Sequence, residues 1–220
     1  LTYDVDPRLD HTVANPGHPF KYDPTFLYQL WWARTPQLYG PYTSKKEAQV
    51  PDCPCLKKVG PFVGSSKNTV IIRLADVLLW EAEALIELGQ PDDALPIINR
   101  IRARAANSTA ELNDINGNPV SNYHIDIYRP GVNCTWTPEF ALKAFRWERR
   151  MEFAMEGFRF FDLVRWGIAA ETINAYFAKE VQKWDYLKDA HFTKGRDEYL
   201  PIPTQQINLT RGLYQQNPGW

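Results

Sequence analysis

Three glutamates spaced four residues apart are the strongest candidates for chemistry in this sequence. Glu148, Glu152 and Glu156 fall on one face of any helix that contains them. Paired carboxylates are the usual catalytic groups of glycoside hydrolases. Arg149 and Arg150 interleave with the row, and such interleaving is typical of ion pairs along and between helices. We therefore interpret the three glutamates as structural and keep glycoside hydrolysis as the alternative.

The histidines and cysteines predict neither a metal centre nor a nucleophile, so no cofactor is expected. The four histidines fit no zinc-ligand spacing and are interpreted as loop residues; they are His11, His18, His124 and His191. Cys53 and Cys55 are too close for a CxxC motif. Two alternatives remain open for the thiols: a disulfide from one of these two to Cys134, or three unpaired cysteines.

Aromatic side chains are the remaining candidates for binding. The sequence is 14% aromatic, with eight Trp and eleven Tyr. Rings presented from loops, or beside a helix start, can stack on the apolar faces of sugars and other flat ligands. The alternative for each ring is packing against the helices. The candidate ligand-binding residues are Trp31, Trp32, Tyr39, Tyr42 and Trp136.

The balance of charge limits the classes of partner. The 220 residues include 25 basic and 26 acidic side chains, a net charge of −1. That balance argues against nucleic acid as a partner and against an anionic membrane surface. No stretch approaches the roughly 20 consecutive apolar residues that span a bilayer. The polar opening lacks a signal peptide and is typical of mid-protein sequence, which predicts a fragment of a longer protein.

A helix hairpin is predicted over residues 71–106. Leucine, isoleucine and alanine recur there at helical spacing. Gly89 fits the left-handed position that ends a helix, and Pro91 fits the first turn of the next one. Pro96 is predicted to kink the second helix or to delay its start.

A second, looser hairpin is predicted over residues 137–168. Thr137 and Pro138 read as an N-cap and a first helical residue, and Gly157 as the turn. A further helix is predicted over about 169–188, followed by a non-helical tail around 199–203. The predicted fold class is all-α, with tetratricopeptide-like helix hairpins. Residues 1–70 are predicted to be irregular, aromatic-rich loops that pack on the helical region 71–220, with a short helix near 26–33.

The sequence resembles the SusD/RagB family in several segments that occur in family order. The strongest is ERRMEFAMEGFRFFDLVRWG at 148–167, and IRLADVLLWEAEAL at 72–85 is similar to the helix that opens the family's C-terminal signature region. Shorter matches are DPRL at 6–9, INRIRARA at 98–105, YLPIP at 199–203 and QNPGW at 216–220.

The resemblance implies a tetratricopeptide-containing helical superhelix and a non-catalytic lipoprotein on the surface of an outer membrane. Such proteins bind nutrient glycans, sometimes peptides, and cover a TonB-dependent SusC-like transporter. The resemblance further implies that this chain is the C-terminal portion of such a protein. The expected partners are therefore a glycan, that transporter and the N-terminal remainder of the same protein, which would carry the lipid anchor. A glycoside hydrolase and a pure protein-interaction scaffold are the alternatives.

Overall fold

The computed structural model describes residues 3–50 and 52–220; Leu1, Thr2 and Pro51 lie outside the described part. The chain divides into two compact units, Leu1–Glu156 and Gly157–Trp220. The division at residue 70 drawn from the sequence stays a prediction. Within the described residues, no helix combines the length and apolar character needed to cross a membrane.

The first 65 residues contain short strands as well as loops. In the described part, three antiparallel two-stranded sheets form. β1 (Val13–Ala14) pairs with β4 (Thr43–Ser44), β2 (Pro19–Phe20) with β3 (Asp23–Leu27), and β5 (Leu56–Val59) with β6 (Phe62–Ser65). The helices of this segment are α1 (Arg8–Thr12) and α2 (Pro36–Tyr39).

These sheets correct the all-α prediction in detail, although helices dominate the chain. The short helix predicted near 26–33 is instead the end of β3 followed by one 3₁₀ turn at Leu30–Trp32. Strands this short carry little periodic signal, because two to five residues give almost no alternation to detect.

The first predicted hairpin is confirmed. α3 (Leu74–Glu87) and α4 (Pro91–Ala106) pack together, with Gly89 left-handed at φ +76° between them. α4 begins at Pro91 and runs through Pro96, so Pro96 does not delay its start.

The third long helix of the first unit is α5 (Pro138–Glu152), which packs on both α3 and α4. Thr137 caps it as predicted, since its Oγ1 accepts a hydrogen bond from the Phe140 backbone N–H at 3.2 Å. The three helices contact one another and bury both small and large apolar side chains completely. This core includes Leu79, Ala82, Ile98, Ala141 and Phe145.

The second unit contains α6 (Arg159–Arg165), α7 (Ala169–Glu180) and α8 (Thr204–Leu209). Its core is Leu163, Ala169 and Phe192. α7 ends at Glu180, earlier than predicted. The backbone is extended at Trp184, and a 3₁₀ turn follows at Asp185–Leu187. The tail is non-helical, as predicted, and Ile202 exchanges two hydrogen bonds with the Gln216 side chain. Because the second predicted hairpin spans the boundary between the units, the tetratricopeptide-like superhelix stays a prediction.

Candidate ligand-binding site

The glutamate row, with Glu148 and Glu152 on α5 and Glu156 just after it, is engaged in ion pairs. Glu148 is 0% exposed, and both of its oxygens accept hydrogen bonds from guanidinium groups. Arg8 Nη1 donates to Oε1 at 2.5 Å, and Arg102 Nη1 donates to Oε2 at 2.9 Å. Because Glu148 is fully buried and each of its oxygens is bonded to a guanidinium group, its carboxylate is not accessible to solvent or substrate.

The next two glutamates are neutralised in the same manner. Glu152 accepts from Arg73 at 2.8 Å and from Arg104 at 2.6 Å. Glu156 accepts from Arg73 at 2.9 Å and from Lys46. Burial alone would raise the pKa of Glu152, but its guanidinium partners hold that pKa below the usual value.

This geometry disfavours the hydrolase alternative. A glycosidase acid needs a raised pKa and access to the scissile bond, whereas Glu148 and Glu152 are buried and ion-paired, and the pKa of Glu152 lies below its usual value. The row instead ties three parts of the first unit to α5: the segment at Arg8, the start of α3 at Arg73, and α4 at Arg102 and Arg104.

Five aromatic rings form a cluster around Trp32 in the loop segment. The Trp32 ring lies 4.7 Å from that of Phe26, 5.5 Å from Tyr28 and 5.7 Å from Phe20, measured between ring centroids. Trp31 packs edge-on against Trp32 at 6.0 Å and is itself 77% exposed. We call these five rings the aromatic platform.

Tyr28 is the buried base of the platform. It is 1% exposed, stacks on Phe20 at an interplanar angle of 24°, and donates its hydroxyl to the Pro41 carbonyl at 2.9 Å. Its backbone also bonds with His18 and Gly17. The platform is therefore fixed to the fold at its centre, while Trp31 is presented to solvent.

The turn between β2 and β3 is strained and held by its side chains. Lys21 and Tyr22 both adopt positive φ, at +51° and +71°, where residues with a Cβ are disfavoured. Lys21 Nζ donates to the Lys45 carbonyl at 2.8 Å, and the Tyr22 hydroxyl lies 3.0 Å from His11 Nδ1. These two contacts compensate for the strain and fix the hairpin against the body of the first unit.

A buried carboxylate, Asp10, holds the base of the same hairpin. It accepts hydrogen bonds from Asn15 at 2.8 Å and from Tyr123 at 2.8 Å, and His18 Nδ1 lies 2.7 Å away. Burial alone would raise its pKa, but these hydrogen bonds, above all the one with His18, hold the pKa of Asp10 at about 2.

Asp10 is therefore expected to make stability depend on pH in the acid range. Its pKa is lower in the folded protein than in the unfolded chain, so the stabilisation is complete above about pH 4 and is lost as the pH falls through 2. A shift of this size corresponds to about 2 kcal/mol. Urea denaturation between pH 2 and 6 should show the stability difference between the wild type and Asp10→Asn shrinking by this amount as the pH falls. A difference that does not vary with pH would contradict the assignment.

A surface cleft of about 480 Å³ lies beside the platform. Its size is within the range of small-molecule sites. One side is formed by the β2–β3 hairpin and the other by Val50 and Asp52. Its lining residues are Phe20, Lys21, Tyr22, Asp23, Phe26, Val50 and Asp52.

The predicted ligand-binding residues fall into different places. Trp31 and Trp32 are together in the platform. Tyr39 and Tyr42 are 74% and 57% exposed, and neither makes a ring contact within the described residues. Trp136 is half-buried elsewhere: its indole N–H donates to the Pro91 carbonyl at 3.0 Å, and its ring packs on those of Tyr128 and Phe140. Their role in binding stays a prediction.

Sequence reasoning missed the rest of the platform and the cleft. Phe20, Tyr22, Phe26, Tyr28 and Asp52 are not among the candidates that the sequence suggested. The available signal was the dense aromatic run from Phe20 to Tyr28 around Lys21–Tyr22, but its two-residue turn lacks the usual Asn-Gly or Gly.

The cysteines contradict both alternatives from the sequence. Cys53 and Cys55 are disulfide-bonded to each other, next to the Asp52 side of the cleft, and Cys134 has a free thiol. Across residues 3–50 and 52–220, no group of three or more histidine, cysteine, aspartate or glutamate side chains is arranged so that it could hold a metal ion.

Comparisons with known proteins agree with this architecture. The model of the SusD family matches residues 3–220. SusD-like protein P25 of Formosa agariphila is 30% identical over 159 residues, which are 71% of this chain and 25% of that protein. SusD-like protein P38 of the same organism is 36% identical over 109 residues, 48% of this chain and 18% of that protein. The chain therefore covers a quarter or less of the length of these relatives.

Solved structures show the same fold. A SusD homolog from Bacteroides thetaiotaomicron superposes with a TM-score of 0.63 at 24% identity, covering 98% of this chain and 41% of that one. A SusD-like protein from Bacteroides fragilis gives 0.60 at 20% identity, covering 98% and 39%. With the family match along nearly the whole sequence, these findings establish that the chain belongs to the SusD family.

Proposed function

We propose that this chain is part of a non-catalytic receptor that binds nutrient glycans at the cell surface for uptake. Membership of the SusD family supports glycan binding in general. The observation that carries the proposal is Trp31, an indole 77% exposed on a platform whose base, Tyr28, is buried.

The physical basis is ring stacking on a fixed surface. The face of an indole carries negative charge density and attracts the C–H bonds on the apolar face of a pyranose ring. Because Trp32 and Tyr28 already hold the platform in place, binding would immobilise few protein side chains and lose little entropy. Tyr39 and Tyr42, both exposed, are proposed to extend the contact surface along the glycan.

The partner and the cellular location are inferred from membership of the family. We infer a SusC-like TonB-dependent transporter as the partner, an outer-membrane lipoprotein as the form of the protein, and an N-terminal remainder that completes it. Peptide is the alternative ligand. The buried, paired state of Glu148 and Glu152 supports binding without hydrolysis.

The test is to bind the chain to a glycan array and to titrate the strongest ligand by calorimetry. Trp31→Ala is expected to weaken binding about tenfold, because a stacked ring contributes about 1 kcal/mol beyond its buried area. Trp147→Ala is the matched control, since Trp147 is also an exposed tryptophan but lies on α5.

Two results would contradict the proposal. The first is the absence of binding to every glycan class on the array. The second is an equal affinity of Trp31→Ala, Trp147→Ala and the wild type for the bound glycan. If Trp32→Ala and Trp136→Ala also left binding unchanged, the protein-interaction scaffold would become the better interpretation.

A further inference from the structure

We propose that the cleft beside the aromatic platform binds an uncharged pyranose unit of the glycan and selects against acidic sugars. This inference rests on the proposed function and assigns a ligand class to a second part of the same surface. The side chains that line the cleft are different from the candidate residues predicted from the sequence, which are Trp31, Trp32, Tyr39, Tyr42 and Trp136.

The first argument is the apolar wall. Phe20, Tyr22 and Phe26 line the cleft from the hairpin side. Phe20 and Phe26 are held edge-to-face at 6.2 Å, and both pack on Trp32. Rings fixed in this way give a sugar a stacking surface that does not need to rearrange.

The second argument is the polar side of the cleft. Asp52 is exposed, and its carboxylate makes no hydrogen bond or ion pair within residues 3–50 and 52–220. An ionised carboxylate accepts hydrogen bonds only, so it suits the vicinal hydroxyl groups of a sugar. Asp23 adds a second carboxylate, whose Oδ1 is fixed by the Thr25 backbone N–H at 2.8 Å.

The third argument is the sign of the charge. Two carboxylates and one ammonium, that of Lys21, line the cleft. Lys21 Nζ already donates to the Lys45 carbonyl, which draws it toward the body of the unit. A uronate or a sulfated sugar would place its own negative charge beside Asp52 and Asp23, and such like-charge contacts select against a ligand.

The fourth argument is preorganisation. The strained turn at Lys21 and Tyr22 is held in one position by its contacts with Lys45 and His11. Strained backbone that is held by its surroundings tends to occur at functional sites. Here the contact with His11 holds Tyr22, one of the residues that line the cleft, in place.

The test uses an array carrying neutral, uronate-containing and sulfated oligosaccharides, followed by titration of the strongest neutral and strongest acidic binders. The wild type is expected to bind the neutral glycan at least tenfold more tightly. Asp52→Asn is expected to weaken neutral binding by about fivefold to tenfold, and Asp52→Lys to reduce the preference against the acidic glycan by a similar factor. Asp189→Lys, an exposed change of the same charge in the second unit, is the control and should alter neither value.

The outcomes separate this inference from the proposed function. If the wild type binds no glycan, both the proposed function and this inference are wrong. If Trp31→Ala weakens binding while Asp52→Asn and Asp52→Lys behave like Asp189→Lys, the glycan receptor stands and the cleft is not part of its site. A wild type that prefers the acidic glycans would also overturn the inference. Asp52 is exposed, so unchanged circular dichroism and melting temperature are expected for its variants.

Discussion

Replacing Glu148 with glutamine is expected to lower the free energy of unfolding by about 3–5 kcal/mol. Glu148 is fully buried and accepts hydrogen bonds from Arg8 and Arg102 through different oxygens. The amide of glutamine presents one acceptor oxygen and an NH₂ group, so one guanidinium would face a donor. Both arginines would also lose their shared negative charge in a site from which water is largely excluded. Urea denaturation at pH 7 measures the effect.

The matched control is Glu81→Gln. Glu81 lies exposed on α3 and forms no ion pair within the described part of the chain. Its replacement is expected to change the stability by less than about 0.5 kcal/mol. Equal stability of the two variants would show that the glutamate row does not hold the first unit together. It would also reopen the question of why Glu148, Glu152 and Glu156 are all paired with basic side chains.

The glutamate row shows how far sequence reasoning reaches. The interleaved arginines correctly predicted ion pairing. The nearby Arg149 and Arg150, however, supply none of the bonds to Glu148, whose partners are Arg8, 140 residues away, and Arg102, 46 residues away. Charge pattern predicts that buried carboxylates need partners, but long-range pairing depends on how the elements pack.

Structural features that depend on adjacent residues were predicted more accurately than features that depend on residues far apart in the sequence. Gly89, Pro91 and Thr137 predicted helix ends correctly, because an end is determined by a few adjacent residues. The β2–β3 hairpin escaped detection because its turn at Lys21 and Tyr22 has no favourable local sequence. Its conformation depends on contacts with Lys45 and His11, which only the folded chain supplies. The same holds for the cleft, whose two sides are more than twenty residues apart in sequence.

Replacing Tyr28 with alanine is expected to lower the free energy of unfolding by about 3 kcal/mol or more and to abolish glycan binding through Trp31. Tyr28 is 1% exposed and contacts both Phe20 and Trp32, so alanine would leave a cavity beneath the platform. Without this base, Trp32 and Trp31 lose the surface that holds them in one orientation. Denaturation in urea measures the first effect, and calorimetric titration with the strongest array ligand measures the second.

Tyr28→Phe separates packing from hydrogen bonding. It keeps the ring and removes only the hydroxyl that donates to the Pro41 carbonyl, which is expected to cost about 1 kcal/mol. Because the ring still supports Trp32, glycan affinity should stay within about twofold of the wild type. If Tyr28→Ala bound glycan as tightly as Tyr28→Phe while remaining folded, the platform would not be the binding surface. Loss of binding in the alanine variant alone would instead show that a buried ring sets the position of an exposed one.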